Sequence, residues 1–401
     1  MSHKKVILSY NKENHRNKEM TALVINASIQ AEDLIIDFSE LLKYPSQLLI
    51  KSWHKGVSWK LNVNGLDETF EYLEDAPIPL EFIETRETYH YWYKEVPQLI
   101  RHLVKGYKNI EFSVLYLTSR HCSAHELFVS QPTLFFLLIT QARNEKWTEL
   151  ELIELLKNKR TALLEACQLP AKRSAVKLIQ QLDFKQYGKT EYETIKQLLS
   201  YSNYEKINHL KAIDEHVASL LCRYPELIAT RLITNYQSNQ WQQNIYTLLD
   251  DINRMAAQLG IMNIIERVGQ CTGFEQVETM HNRLVDEINQ LDPHSLPDVN
   301  YQSPPFSGNE HIIPISNSQD LLKEGKEQRH CITSYHPRIF NKKYYAYRVI
   351  YPQRATLGLI LKKGFKPQLD QLKLKSNQRV SEETSRYVLQ WLAKSIEDYE
   401  L

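Results

Sequence analysis

The spacing of apolar residues changes along the chain, and each change predicts a different kind of structure. In residues 1–130, stretches such as 22–29, 47–53 and 57–63 alternate β-branched or aromatic residues with polar ones, and Asn64-Gly65 supplies a hairpin turn. A small α+β N-terminal domain is expected there. Over 131–291 the apolar spacing becomes three and four, as in Leu152, Leu155 and Leu156 or Ile245, Leu248, Leu249, Ile252 and Met255. That predicts an all-helical middle domain. Scattered breakers at Pro170, Gly188, Pro225, Gly260, Gly269 and Gly273 would separate six or seven helices.

Residues 292–309, DPHSLPDVNYQSPPFSGN, are rich in proline, which removes backbone donors and fixes φ; they read as a linker. Beyond it, 310–401 predicts a second small α+β domain. Ser318 is placed to cap a short helix that Gly325 would close. The runs 344–351, 354–361 and 367–375 form an antiparallel meander with short turns. Ser381 then caps a last helix opened by Glu382 and Glu383, with Val388, Leu389, Trp391, Leu392 and Ile396 on its buried side. The fold class is therefore α+β and multidomain.

Composition narrows the setting. At 401 residues, 42% hydrophobic and 10% aromatic, the chain has ample apolar surface for several cores. No apolar run reaches about 18 residues, and the first twenty residues lack the apolar segment of an export signal, so no membrane association is expected. Five cysteines without a CxxC pair argue against a disulfide framework and suit a reducing cytoplasm.

Net charge is +1, but it is unevenly spread: positions 323–379 carry 14 Lys and Arg against 3 Asp and Glu, which leaves the rest of the chain at −10. A basic module of this kind suits a polyanion, DNA or RNA, because each cation near a phosphate releases a counterion. A solvated face neutralised within the protein would look the same. Arg329, Arg338, Lys342, Lys343, Arg354, Lys375 and Asn377 are the candidate nucleic-acid contacts.

Candidate chemistry concentrates in the same region. His330, Cys331 and Tyr335 lie within six residues, and histidine titrates near neutrality. On an extended chain, His330 and Cys331 would point to opposite faces, which disfavours a dyad of neighbours and fits a buried structural thiol. Gln371 and Lys373 would share a strand face. With Arg348, this set suits an anionic phosphate better than Mg²⁺, which needs oxygen ligands. His121, Cys122 and His125 have a helical spacing but lack further ligands at a signature spacing, so no metal site is assigned. No Gly-rich phosphate loop, HExxH or GxSxG is present, and no cofactor is expected.

In order, Glu324-Gly325, His330-Cys331, Tyr335, Arg348, Thr356, Gln371, Lys373 and Asn377 resemble the pattern of the PcfJ-like family, found in conjugative plasmids and other mobile elements. The resemblance spans roughly 312–391. Leu374 stands where that pattern has a glycine, and the acidic residue that often follows its Thr-containing strand is absent. It implies a mobile-element or phage-defence setting and association with nucleic acid. Combined with the residue chemistry, it leads to a specific expectation of a metal-independent enzyme acting on a phosphodiester or nucleotide. His330 would be the acid or base, Arg348 and Lys373 would stabilise anionic charge, and Tyr335 and Gln371 would orient the substrate. The alternative is a non-catalytic adaptor that binds a protein partner.

Overall fold

The computed structural model describes residues 26–397 apart from 71, 75, 77, 85–86, 108–109, 236–244, 291–296 and 363. The chain is α+β and divides into two compact units, one ending at Ala229 and the other starting at Thr230.

The first unit opens with an antiparallel five-stranded meander: β1 (Asn26–Gln30), β2 (Asp33–Asp37), β3 (Ser46–Ile50), β4 (Trp59–Val63) and β5 (Leu66–Thr69). Alternation buries Leu34, Ile36, Leu48, Ile50, Trp59, Leu61 and Val63 on one face. Asn64 and Gly65, both at positive φ, close the β4–β5 hairpin as the sequence predicts. Residues 22–25 of the first expected strand lie outside the described residues. From Leu80 the unit is helical. His121 and His125 do not converge there: the His121 ring pairs with Glu149 at 2.7 Å, while His125 meets the edge of Trp53.

Between Glu149 and Asn289 the described residues hold nine α-helices, more than the six or seven expected, because several run less than two and a half turns. The stretch 131–291 is shared between the units. Helices α1 (Ile245–Gln258) and α2 (Phe274–Asn289) belong to the second, as does the described part of 292–309. That part is tied in by side chains: the Ser318 hydroxyl donates to Pro297 O at 2.8 Å, and Phe306 is buried in the core.

The second unit centres on a four-stranded antiparallel sheet ordered β6 (Ile312–Pro314), β7 (Tyr344–Val349), β8 (Ala355–Ile360) and β9 (Gln368–Lys373). One face carries Tyr345, Tyr347, Val349, Leu357 and Leu359, packed with Val388 and Leu392 of helix α4 (Glu382–Glu397). Ser381 caps α4, its hydroxyl accepting from Thr384 N at 3.2 Å. Leu389, expected on the buried side of that helix, is instead 47% exposed.

The other sheet face holds the polar residues. Arg348, Thr356 and Lys373 form one cross-strand row, and Ala346, Gly358 and Gln371 the next. Helix α3 (Ser318–Gln328) supplies the partners of that face. Its cap is Asn317 rather than Ser318: Asn317 Oδ1 accepts from Asp320 N at 2.7 Å. The helix also runs through Gly325 and ends at Arg329, which takes the left-handed conformation with φ 49°. Gly325 is there for space instead of chain reversal, since a Cβ would lie 2.2 Å from Thr333 Oγ1 and 2.8 Å from Asn289 Oδ1.

Candidate functional site

After α3 the chain makes a tight 3₁₀ turn, Cys331–Tyr335, with all five residues buried. His330 precedes it in an extended conformation, so neither residue of the His330-Cys331 pair lies in a strand. Both nevertheless line one narrow pocket, together with Tyr335, Gln371, Lys373 and Asn377. Three elements converge: the turn after α3, the end of β9, and the loop Lys375–Asn377, where Ser376 and Asn377 both take positive φ. Gly358 belongs to the pocket wall for a steric reason. The Tyr344 ring crosses it, and a Cβ would overlap the Tyr344 hydroxyl at 1.8 Å.

His330 is nearly inaccessible, and its Nε2 lies 2.8 Å from Thr356 Oγ1. Thr356 gives its only hydroxyl proton to Glu324 Oε1, so it accepts from His330. The imidazole therefore carries hydrogen on Nε2 and keeps Nδ1 as its acceptor. Burial lowers the His330 pKa to about 4, against the opposing pull of Glu324, and the ring is neutral at pH 7.

Glu324 itself is fully buried. It accepts from Arg348 Nε at 3.1 Å and from Arg354 Nη1 at 2.9 Å, and Arg354 Nη2 also binds it. Arg348 reaches Asp320 Oδ1 as well, at 3.3 Å. Arg348 and Arg354, assigned from sequence to substrate and nucleic acid, are thus held on acidic groups of α3; Arg348 is not among the residues lining the pocket. In the sequence, Glu324 is one acidic residue within a basic run. Its one signal was the Glu-Gly pair of the family pattern.

Arg338 is also engaged, its guanidinium carbon 5.3 and 5.0 Å from the centres of the Tyr335 and Tyr344 rings. Arg329, Lys342, Lys343 and Lys375 are exposed. Lys373 is the single cation among the described residues lining the pocket.

A second network lies behind the turn. The Tyr335 hydroxyl accepts from Gln371 Nε2 at 2.8 Å and donates to Asp251 Oδ1 at 3.1 Å. Arg254 binds the same carboxylate oxygen, stacks 3.8 Å above the Tyr335 ring and donates to Ser334 Oγ at 3.0 Å. The Cys331 thiol donates to Asp251 Oδ2 at 3.2 Å, and His281 Nε2 stands 3.9 Å from that oxygen. Burial pushes the Asp251 carboxyl up, but contacts from His281, Arg254 and Cys331 outweigh it and hold the group below the usual range. Burial and the Asp251 charge push the Cys331 thiol well up, which removes it as a free thiolate nucleophile. Asp251, Arg254 and His281 come from α1 and α2 and went unrecognised in the sequence, where they look like ordinary helix positions.

These helices also enter the family relationship. Residues 248–389 match the model of a family described as PcfJ-like protein. This stretch of the chain is PcfJ-like. The matched range starts some sixty residues earlier than the resemblance carried by the motifs, and it takes in α1 and α2 along with the PcfJ-like turn, sheet and pocket. No curated protein and no solved structure matches the chain. None of the described helices is long and apolar enough to cross a membrane.

Proposed function

We propose that the PcfJ-like unit binds a phosphodiester of DNA or RNA, or a nucleotide, in the His330–Lys373 pocket and acts on it there. The observation that carries this reading is convergence: His330, Tyr335, Gln371, Lys373 and Asn377, singled out on sequence grounds, line a single pocket. Lys373 offsets the anionic charge, and Gln371 with Asn377 orients the bound group through amides. His330, neutral and backed through Thr356 by Glu324, works as a proton acceptor at Nδ1. Arg348 and Arg354 fix the Glu324 end of that chain and do not touch substrate in this reading. The exposed Arg329, Lys342, Lys343 and Lys375 follow a polymer backbone. A cytoplasmic setting in a mobile element or a phage-defence locus belongs to the same reading.

One observation favours the second reading, an adaptor that binds a protein partner. From Thr230 to the C-terminus the sequence has 20 basic and 19 acidic residues, so the unit that holds the basic run is nearly neutral as a whole. Labelled single- and double-stranded DNA and RNA, offered to the full chain at two salt concentrations, separate the two. Binding that weakens with salt and product that requires His330 support the enzyme. Absence of binding at both salts contradicts it and leaves the adaptor.

A further inference from the structure

We propose that Asp251, His281 and Cys331 form a binding site for a zinc-type transition-metal ion, immediately behind the pocket. All three residues are buried, and one ligand atom from each lies within 4.8 Å of the other two. In a tetrahedral zinc site with these ligand types, donor atoms stand about 3.3–3.7 Å apart. The observed separations of 3.2 Å from Asp251 Oδ2 to Cys331 Sγ and 3.9 Å to His281 Nε2 bracket that range.

The surroundings divide as metal ligands require. Asp251 Oδ1 is taken by Arg254 and the Tyr335 hydroxyl, which fixes the carboxylate and leaves Oδ2 toward the sulfur and the imidazole. His281 Nδ1 lies 3.1 Å from Asn282 Oδ1, an acceptor that can hold the ring hydrogen on Nδ1 and free Nε2, 3.9 Å from Asp251 Oδ2, to ligate an ion. One thiolate, one imidazole and one carboxylate suit a borderline-soft ion, and three protein ligands leave a fourth position for water. Binding replaces the S–H bond of Cys331 by a metal–sulfur bond and releases that proton to solvent. Thiolate and carboxylate then offset the two metal charges, so Arg254 is not opposed by a net positive centre. Cys331 belongs both to this cluster and to the pocket wall, which places the ion beside the proposed substrate site.

The test uses the full chain, stripped by a chelator and titrated with Co²⁺. A single equivalent should bind, with a thiolate-to-cobalt charge-transfer band that Zn²⁺ abolishes. Cys331→Ser should remove the band, and His281→Gln should keep it while weakening affinity at least about tenfold. Cys122→Ser, an exposed cysteine remote in sequence from the cluster, should behave as the parent. If Cys331→Ser fails to fold by circular dichroism, the His281→Gln titration decides. No stoichiometric uptake by the folded parent, an unchanged band in folded Cys331→Ser, or parent-like affinity in His281→Gln overturns the site. No nucleic acid enters the measurement, so its failure leaves the phosphate reading standing.

Discussion

Tyr335 donates its hydroxyl to Asp251 across a sequence separation of 84 residues, at 3.1 Å and in a buried setting. The same oxygen accepts from Gln371, so one hydroxyl joins α1, the turn after α3 and β9. Tyr335→Phe keeps the ring and deletes both bonds. It should destabilise the unit by about 1–3 kcal/mol, because a buried acceptor and a buried donor lose their partner together. Urea midpoints of parent and variant measure this, and equal midpoints would refute it.

Glu324→Gln should cost about 3 kcal/mol or more, since a fully buried carboxylate is replaced by an amide that cannot balance Arg348 and Arg354. Arg348→Met should lower the denaturation midpoint in the same direction. A stable Arg348→Met protein that has lost ligand binding would instead put Arg348 on substrate.

Gly325→Ala opposes two effects. Helix propensity gains about 1 kcal/mol, but a Cβ at 2.2 Å from Thr333 Oγ1 forces the turn away from α3, at a cost of about 1–3 kcal/mol. The net change should be destabilising. In a Thr333→Ala background the clash with Oγ1 is gone, and the same substitution should cost less. Additive behaviour in this double-mutant cycle would disprove the contact.

These residues also show where sequence reading stops. The β7–β9 meander, the Asn64-Gly65 hairpin and the Ser381 cap were legible because each is set by neighbours within a few positions. Gly325 was misread as a helix terminator: its reason is Thr333 on the next element and Asn289 on α2, neither of which leaves a mark on the local pattern. Arg348 and Arg354 read as free cations for the same reason, their common partner being one buried glutamate on α3. The pocket itself was largely readable, because period-two spacing already placed Gln371 and Lys373 on one face. Asp251 and His281 were not, as nothing in a helix pattern tells which buried polar side chain will meet a distant turn.

His336, whose Nδ1 shares a 2.8 Å hydrogen bond with the Tyr301 hydroxyl, should titrate below an ordinary histidine because it is partly buried. The unfolded chain then binds more protons than the folded one between the lowered folded pKa and the ordinary value near 6.5. Its contribution to stability is present above about pH 6.5 and is lost as pH falls toward the folded value. Histidine titration by NMR, and a shallower stability slope across this window in His336→Gln, check the sign. A pKa at or above the ordinary value would contradict it.

The most direct test of the account is the affinity of the full chain for labelled single-stranded DNA and RNA at low salt, compared between the parent and Lys373→Ala. Lys373 is half-buried at the pocket, so the variant should keep the parent's unfolding free energy to within about 0.5 kcal/mol. Affinity should fall at least tenfold in the variant, and the salt slope should drop by about one unit. Parent-like affinity and slope in a folded Lys373→Ala protein would contradict the pocket as the place where phosphate is held.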